Sequence, residues 1–98
     1  MTRSISLAVN GQPVDIDYFV QGFIDHTVSG MVAALEGTGD VRDLKVSIEK
    51  DETMIDLNGT SVPVRPFVGE LVKNTVIGMV RSLKGVTEPT RIVISIEK

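Results

Sequence analysis

The chain has a single imidazole, His26, with a carboxylate, Asp25, beside it; these are the two group types from which general acid and base catalysis is most often built. Their spacing defeats the pairing. Sequence neighbours on a helix point about 100° apart, so the two form no dyad, and a hydrogen-bonding role at a surface or interface is the better reading of His26. Metal chemistry lacks its signatures too, since neither H-x-x-x-H nor E-x-x-H spacing occurs and cysteine is absent. Without cysteine there is also no thiolate nucleophile and no disulfide frame. Gly37-Thr38-Gly39 follows a helical pattern, whereas phosphate cradles precede one, so it reads as a cap and loop. Thr27 and Thr75 have no base partner in view and are expected to hydrogen-bond back to a helical carbonyl. The expectation is a protein that is not an enzyme, with no catalytic residue, no metal site and no cofactor.

The elements that carry these residues are easier to read. Ile5, Leu7 and Val9 alternate with Ser4, Ser6 and Ala8, the period of a strand with one buried face. Asn10-Gly11 follows and suits a two-residue type I′ turn, which sets Val9 opposite Gln12 and returns Val14 and Ile16 on the face of Ile5 and Leu7. From Tyr18 to Glu36 and from Pro66 to Lys84 apolar residues recur at three and four, in the second stretch as Phe67, Leu71, Val72, Val76, Met79, Val80 and Leu83. Asp17 suits an N-cap, Pro66 a first helical position, and Gly37 and Gly85 left-handed helix ends. Leu44, Val46 and Ile48, and again Ile92, Ile94 and Ile96, predict a third strand.

Leu7 to Lys50 reappears without insertion or deletion as Ile55 to Lys98, a shift of 48 that superimposes Asn10-Gly11 on Asn58-Gly59 and Ser47-Ile48-Glu49-Lys50 on Ser95-Ile96-Glu97-Lys98. The prediction is a single α+β domain over 1–98, a tandem duplicated β-β-α-β unit (repeat 1 at 4–50, repeat 2 at 53–98) with pseudo-twofold symmetry. Its helices lie on one face of a mostly antiparallel sheet. Right-handed crossover would make strand 3 of each unit parallel to strand 2, in the order 3-1-2, and Pro13 and Pro63 favour an edge for strand 2. The opposite face, with Ser4, Ser6, Lys45, Ser47, Asp56 and Ser95, would be solvated. Lys50-Asp51-Glu52-Thr53 is expected to be the linker.

Where the copies differ, charge reverses: Asp17 against Arg65, Asp25 against Lys73, Glu36 against Lys84 and Asp43 against Arg91. Antiparallel helices across the pseudo-twofold would bring Asp17 near Lys84, Asp25 near Lys73 and Glu36 near Arg65, as expected of a fused homodimer whose interface charges became complementary. Helix 1 also carries a small-residue stripe, Gly22, His26, Ser29 and Ala33, where helix 2 has Glu70, Asn74, Ile77 and Arg81. The stripe is expected to pack against a second copy of the chain. Gly30 and Gly78, retained mid-helix in both copies, suggest close backbone packing.

The run Asn74-Thr75-Val76-Ile77-Gly78-Met79-Val80-Arg81-Ser82-Leu83-Lys84-Gly85-Val86, after Asn58-Gly59 and Pro66-Phe67-Val68, resembles C-terminal segments of archaeal molybdopterin-guanine dinucleotide biosynthesis proteins and of small uncharacterised archaeal and bacterial proteins. The shared residues are scaffold residues. The nucleotide-binding P-loop of such proteins is missing, so the resemblance implies no catalytic residue here.

The 98 residues are 42% hydrophobic and 23% charged, which fits one soluble domain in which neither half alone buries enough apolar surface. A net charge of −3 argues against nucleic acid, whose affinity comes from clustered Lys and Arg. No apolar run is long enough to cross a bilayer and Met1-Thr2-Arg3-Ser4 lacks a signal core, so no membrane association and a cytoplasmic location are expected. The function that remains is a non-catalytic interaction or scaffold module, a homo-oligomer (dimer) or the binder of an unidentified protein partner. The alternative is a small-molecule carrier with a pocket between sheet and helices lined by Met31, Met79, Phe19 and Phe67.

Overall fold

A computed structural model of the chain describes residues 4–36, 42–50, 52–83 and 89–97, the side chains of residues 35 and 36 excepted. The expected helix ends at Gly37 and Gly85, and Lys84, lie outside them. The elements in chain order are β1 (Ser4–Val9), β2 (Gln12–Pro13), α1 (Tyr18–Glu36), β3 (Asp43–Glu49), β4 (Glu52–Leu57), β5 (Thr60–Val62), α2 (Pro66–Arg81) and β6 (Arg91–Glu97). Over the described residues the fold is α+β: one six-stranded antiparallel sheet and two helices.

The local readings hold where backbone chemistry decides them. Asn10 and Gly11 take φ of 54° and 80°, and Asn58 and Gly59 take 51° and 84°, so both turns have the two positive φ values of type I′. Val9 stands opposite Gln12 and Leu57 opposite Thr60. The Asp17 carboxylate accepts the Val20 N–H at 2.8 Å as the N-cap of α1. Pro66 opens α2.

Strand order departs from expectation. The sheet runs β2-β1-β6-β3-β4-β5, so β1 and β3 are not neighbours, and β6 lies between them, antiparallel to both. The predicted order 3-1-2 is met only with the third strand of the other half. Strand 3 is antiparallel, not parallel, to strand 2. The reason lies in direction: β1 and β3 run the same way, and inserting β6 turns a parallel contact into two antiparallel ladders with straighter hydrogen bonds. In the central ladder Asp43 faces Glu97, Val46 faces Ile94 and Glu49 faces Arg91, so the ladder reads alike from either strand under the shift of 48.

Three boundaries also change. Glu52 and Thr53, expected in a linker, belong to β4 and pair with Glu49 and Ile48, leaving Lys50-Asp51 as a two-residue connection. The β2 strand stops at Pro13, although the Val14 N–H still donates to the Leu7 carbonyl at 2.9 Å. The α2 helix ends at Arg81, where Ser82 closes it.

The core is one layer between the helices and a single face of the sheet. Buried strand residues Leu7, Val46, Ile48, Ile55, Ile92 and Ile94 meet Ile24, Val28 and Val32 of α1 and Val72, Val76 and Val80 of α2. Both helices therefore cover the same face. On the other face Ser4, Ser6, Lys45 and Asp56 are exposed and Ser47 and Ser95 half-buried. The edges are β2 and β5, as Pro13 and Pro63 required.

Candidate interaction surface

Each helix touches the sheet through a row of β-branched residues four apart: Val20, Ile24, Val28 and Val32 in α1, and Val68, Val72, Val76 and Val80 in α2. That row is narrow. A helix turns about 100° per residue, so other apolar positions fall on the outward side, and the aromatic residues fall there. Tyr18 is 81% exposed, Phe19 75%, Phe23 52% and Phe67 76%, with Leu71 at 52%. These four are all the aromatic residues of the chain. Phe67 and Leu71, counted among the apolar periodicity of helix 2, thus stand outside the core that Val72, Val76 and Val80 form.

The helices leave a valley between them. A cavity of about 450 Å³ is walled by Phe19 and Phe23 of α1 and by Gly78, Met79 and Leu83 of α2, with Ile94 of β6 at its floor. Because the first turns of α1 meet the last turns of α2 across it, the helices run antiparallel. Phe19 and Phe23 stand along one lip as a tilted ring pair, centroids 6.3 Å apart at 41°. The four residues expected to line a carrier pocket are not gathered in one place. Phe19 and Met79 share the valley, whereas Phe67 stands on the surface and Met31 packs against the core.

The mid-helix glycines do not do what the sequence suggested. Around Gly30 and Gly78, and around Gly22, an added Cβ would meet nothing within 4 Å, so among the described residues no other element packs its backbone there. Each keeps a residue that costs about 0.5–1 kcal/mol relative to alanine within a helix. Gly69 differs, since its Cβ would come within 3.3 Å of Val64.

The chemistry-bearing residues are scattered. His26 is exposed and borders a shallow concavity on α1 with Tyr18, Phe19, Gly22, Phe23 and Thr27. Asp25 instead accepts a hydrogen bond from the Ser29 hydroxyl at 3.0 Å. Ser29, Gly22 and Ala33 are half-buried along the same helix. Lys73 pairs with Glu70 of its own helix at 3.3 Å, and Arg65 is exposed before α2. Lys84 and the Glu36 side chain lie outside the described residues, so of the expected charge pairs only Asp25 and Lys73 are both placed. The Thr75 hydroxyl donates to the Leu71 carbonyl at 2.8 Å, as expected.

Among the described residues no cluster of His, Asp and Glu could hold a metal ion. Among the described residues no helix is long and apolar enough to cross a membrane. The sequence reading missed Tyr18, Phe23 and Leu71 as surface residues; the signal was the unbroken four-residue spacing of valines and isoleucine, which already supplies a complete buried row. Comparison of the chain with protein-family models, curated proteins and solved structures finds no match.

Proposed function

We propose that the protein is a non-catalytic interaction module, a tandem duplication of a β-β-α-β unit whose helical layer is its contact surface for another protein. One observation carries the reading: every aromatic side chain of the chain is at least half exposed, and all stand on the outward side of the helices. Aromatic residues are the groups most enriched where proteins meet, and their gathering on one face is unusual for an isolated monomer. The sheet offers no competing surface. Its edges are two and three residues long, too short to template an added strand, and its open face carries Ser4, Ser6, Lys45 and Asp56.

The duplication is supported by the register, since equivalent residues face one another across β3 and β6. In this reading each half completes the other, as subunits of a symmetric pair would.

A second reading is favoured by the valley. Its volume of about 450 Å³ falls in the range of small-molecule sites, and its walls are apolar. An apolar ligand retained through native mass spectrometry of the purified protein would support it.

The test compares the immobilised chain with its Phe19→Ser/Phe67→Ser variant in an extract of the native organism. The wild type is expected to retain protein, itself or another, and the variant to lose it. Retention by neither, or equally by both, would overturn the proposal.

A further inference from the structure

We propose that two copies of this chain exchange halves through the connection between β3 and β4, giving a dimer of two closed units joined by a straight antiparallel ribbon over 43–57 of each copy. The interface is one that the chain already makes with itself.

Three of the five strand ladders among the described residues run between the halves: β1 with β6, β3 with β6 and β3 with β4. Each can be formed equally by the first half of one copy and the second half of another, so exchange keeps the pairings and alters only the connection at Lys50-Asp51. That connection is the weak place. The turns at Asn10-Gly11 and Asn58-Gly59 carry residues suited to positive φ, whereas Lys50 holds a φ of 56° with a long side chain, and Asp51 follows it where the other turns have glycine. Straightening releases the strain at Lys50 in both copies, and short strained connections invite exchange.

The straightened register fits. Glu49 stands opposite Glu52, so continuing that ladder by one residue sets Lys50 of each copy opposite the partner's Asp51. Two opposite-charge pairs then close the crossing point where a turn stood. Sterics agree. Ile48 and Ile55 are both buried in the core of the closed chain and are seven residues apart, an odd number, so in a straight strand they face opposite sides of the ribbon. The helical layers of the two units therefore lie on opposite sides and do not collide. The exchange works through the sheet and uses neither Phe19 nor Phe67, so it is independent of what the helical layer binds.

The test refolds the full chain from urea at low and at high concentration and follows its mass by sedimentation, with a Ser47→Cys/Met54→Cys variant and a Lys50→Asn/Asp51→Gly variant beside it. Circular dichroism checks that both variants fold as the wild type does. Ser47 stands opposite Met54 across β3 and β4, and the chain has no cysteine of its own, so a disulfide there joins a closed chain to itself but links two chains in the exchanged dimer. Refolding at high concentration is expected to yield a dimer that persists on dilution and that, in the cysteine variant, runs as a dimer on a non-reducing denaturing gel. Its yield should fall about tenfold in the Lys50→Asn/Asp51→Gly variant, whose connection suits the closed turn. A chain that refolds only to monomer, a dimer that parts at once on dilution, single chains on the gel, or an unchanged yield with the altered connection would each overturn the proposal.

Discussion

The Asn10 side-chain carbonyl accepts the backbone N–H of Thr90 at 2.8 Å and its hydroxyl at 2.9 Å, fastening the first turn to the start of the last strand. Arg91 N–H joins them at 3.0 Å. Asn58 does the corresponding work on the other side, accepting from Arg42 and Asp43 at 2.9 and 3.0 Å. Each asparagine therefore satisfies a positive-φ turn and clasps the strand that the opposite half contributes. Asn10→Gly and Asn58→Gly keep the turn but lose the clasp, so each should cost about 1–2 kcal/mol, while Asn10→Ala adds backbone strain and should cost more. Urea titrations of the three variants measure this; an Asn→Gly change without loss would show the clasp to be idle.

Glycines separate into two groups by sign. Alanine at Gly30 or Gly78 meets no neighbour, so each substitution should raise the stability of the dilute chain by about 0.5–1 kcal/mol. At Gly11 and Gly59, with φ of 80° and 84°, the same change should lower it by about 1 kcal/mol or more. Thermal melts of all four variants compare the groups, and a uniform response would contradict the assignment.

Lys50 holds a φ of 56° in the connection from β3 to β4, a left-handed conformation disfavoured for a long side chain. Lys50→Gly or Lys50→Asn should stabilise the protein by up to about 1 kcal/mol. A shift of the urea midpoint upward is the expected observation; no change or a downward shift counts against strain at this residue.

Ile94 is completely buried, opposite Val46 at the middle of the sheet. Ile94→Val should cost about 0.5–1.5 kcal/mol and Ile94→Ala about 2–5 kcal/mol, a large part of the total stability of a chain this size. Equilibrium unfolding decides it, and a loss under about 1 kcal/mol for the alanine variant would mean the centre is loosely packed.

Because β3 pairs only with β4 and β6, and β6 only with β1 and β3, a chain cut between Lys50 and Asp51 leaves the third strand of each half with sheet neighbours solely in the other half. With a protease site inserted there, the cleaved halves should still elute together under native conditions and part only in denaturant. Two separately eluting folded fragments would contradict the exchanged strand order.

What could be read from sequence was what neighbouring residues decide. The Asn-Gly turns, the cap at Asp17, the bounds of α1 and the edge prolines follow from φ preferences and donors within a few residues. Strand order did not. The β3 and β6 strands share Ser-Ile-Glu and the same alternation, so either suits the place beside β1, and the decision depends on which choice leaves all ladders antiparallel. The exposed aromatics escaped for a related reason: periodicity places Phe67 and Leu71 near the valine row of α2, but whether a helix buries that shoulder depends on how closely α1 stands.

Ser4 lies two strands from Asp43 and directly opposite Glu97, which brings the beginning and end of the described chain side by side. Since the element order is the same counted from β1 or from β4, a gene rearranged to begin at Asp51, with Lys98 spliced by a short spacer to Met1, should give a circular permutant of unchanged architecture. Evolution or an engineer could relocate the open ends to either pole of the molecule without redesigning its interior.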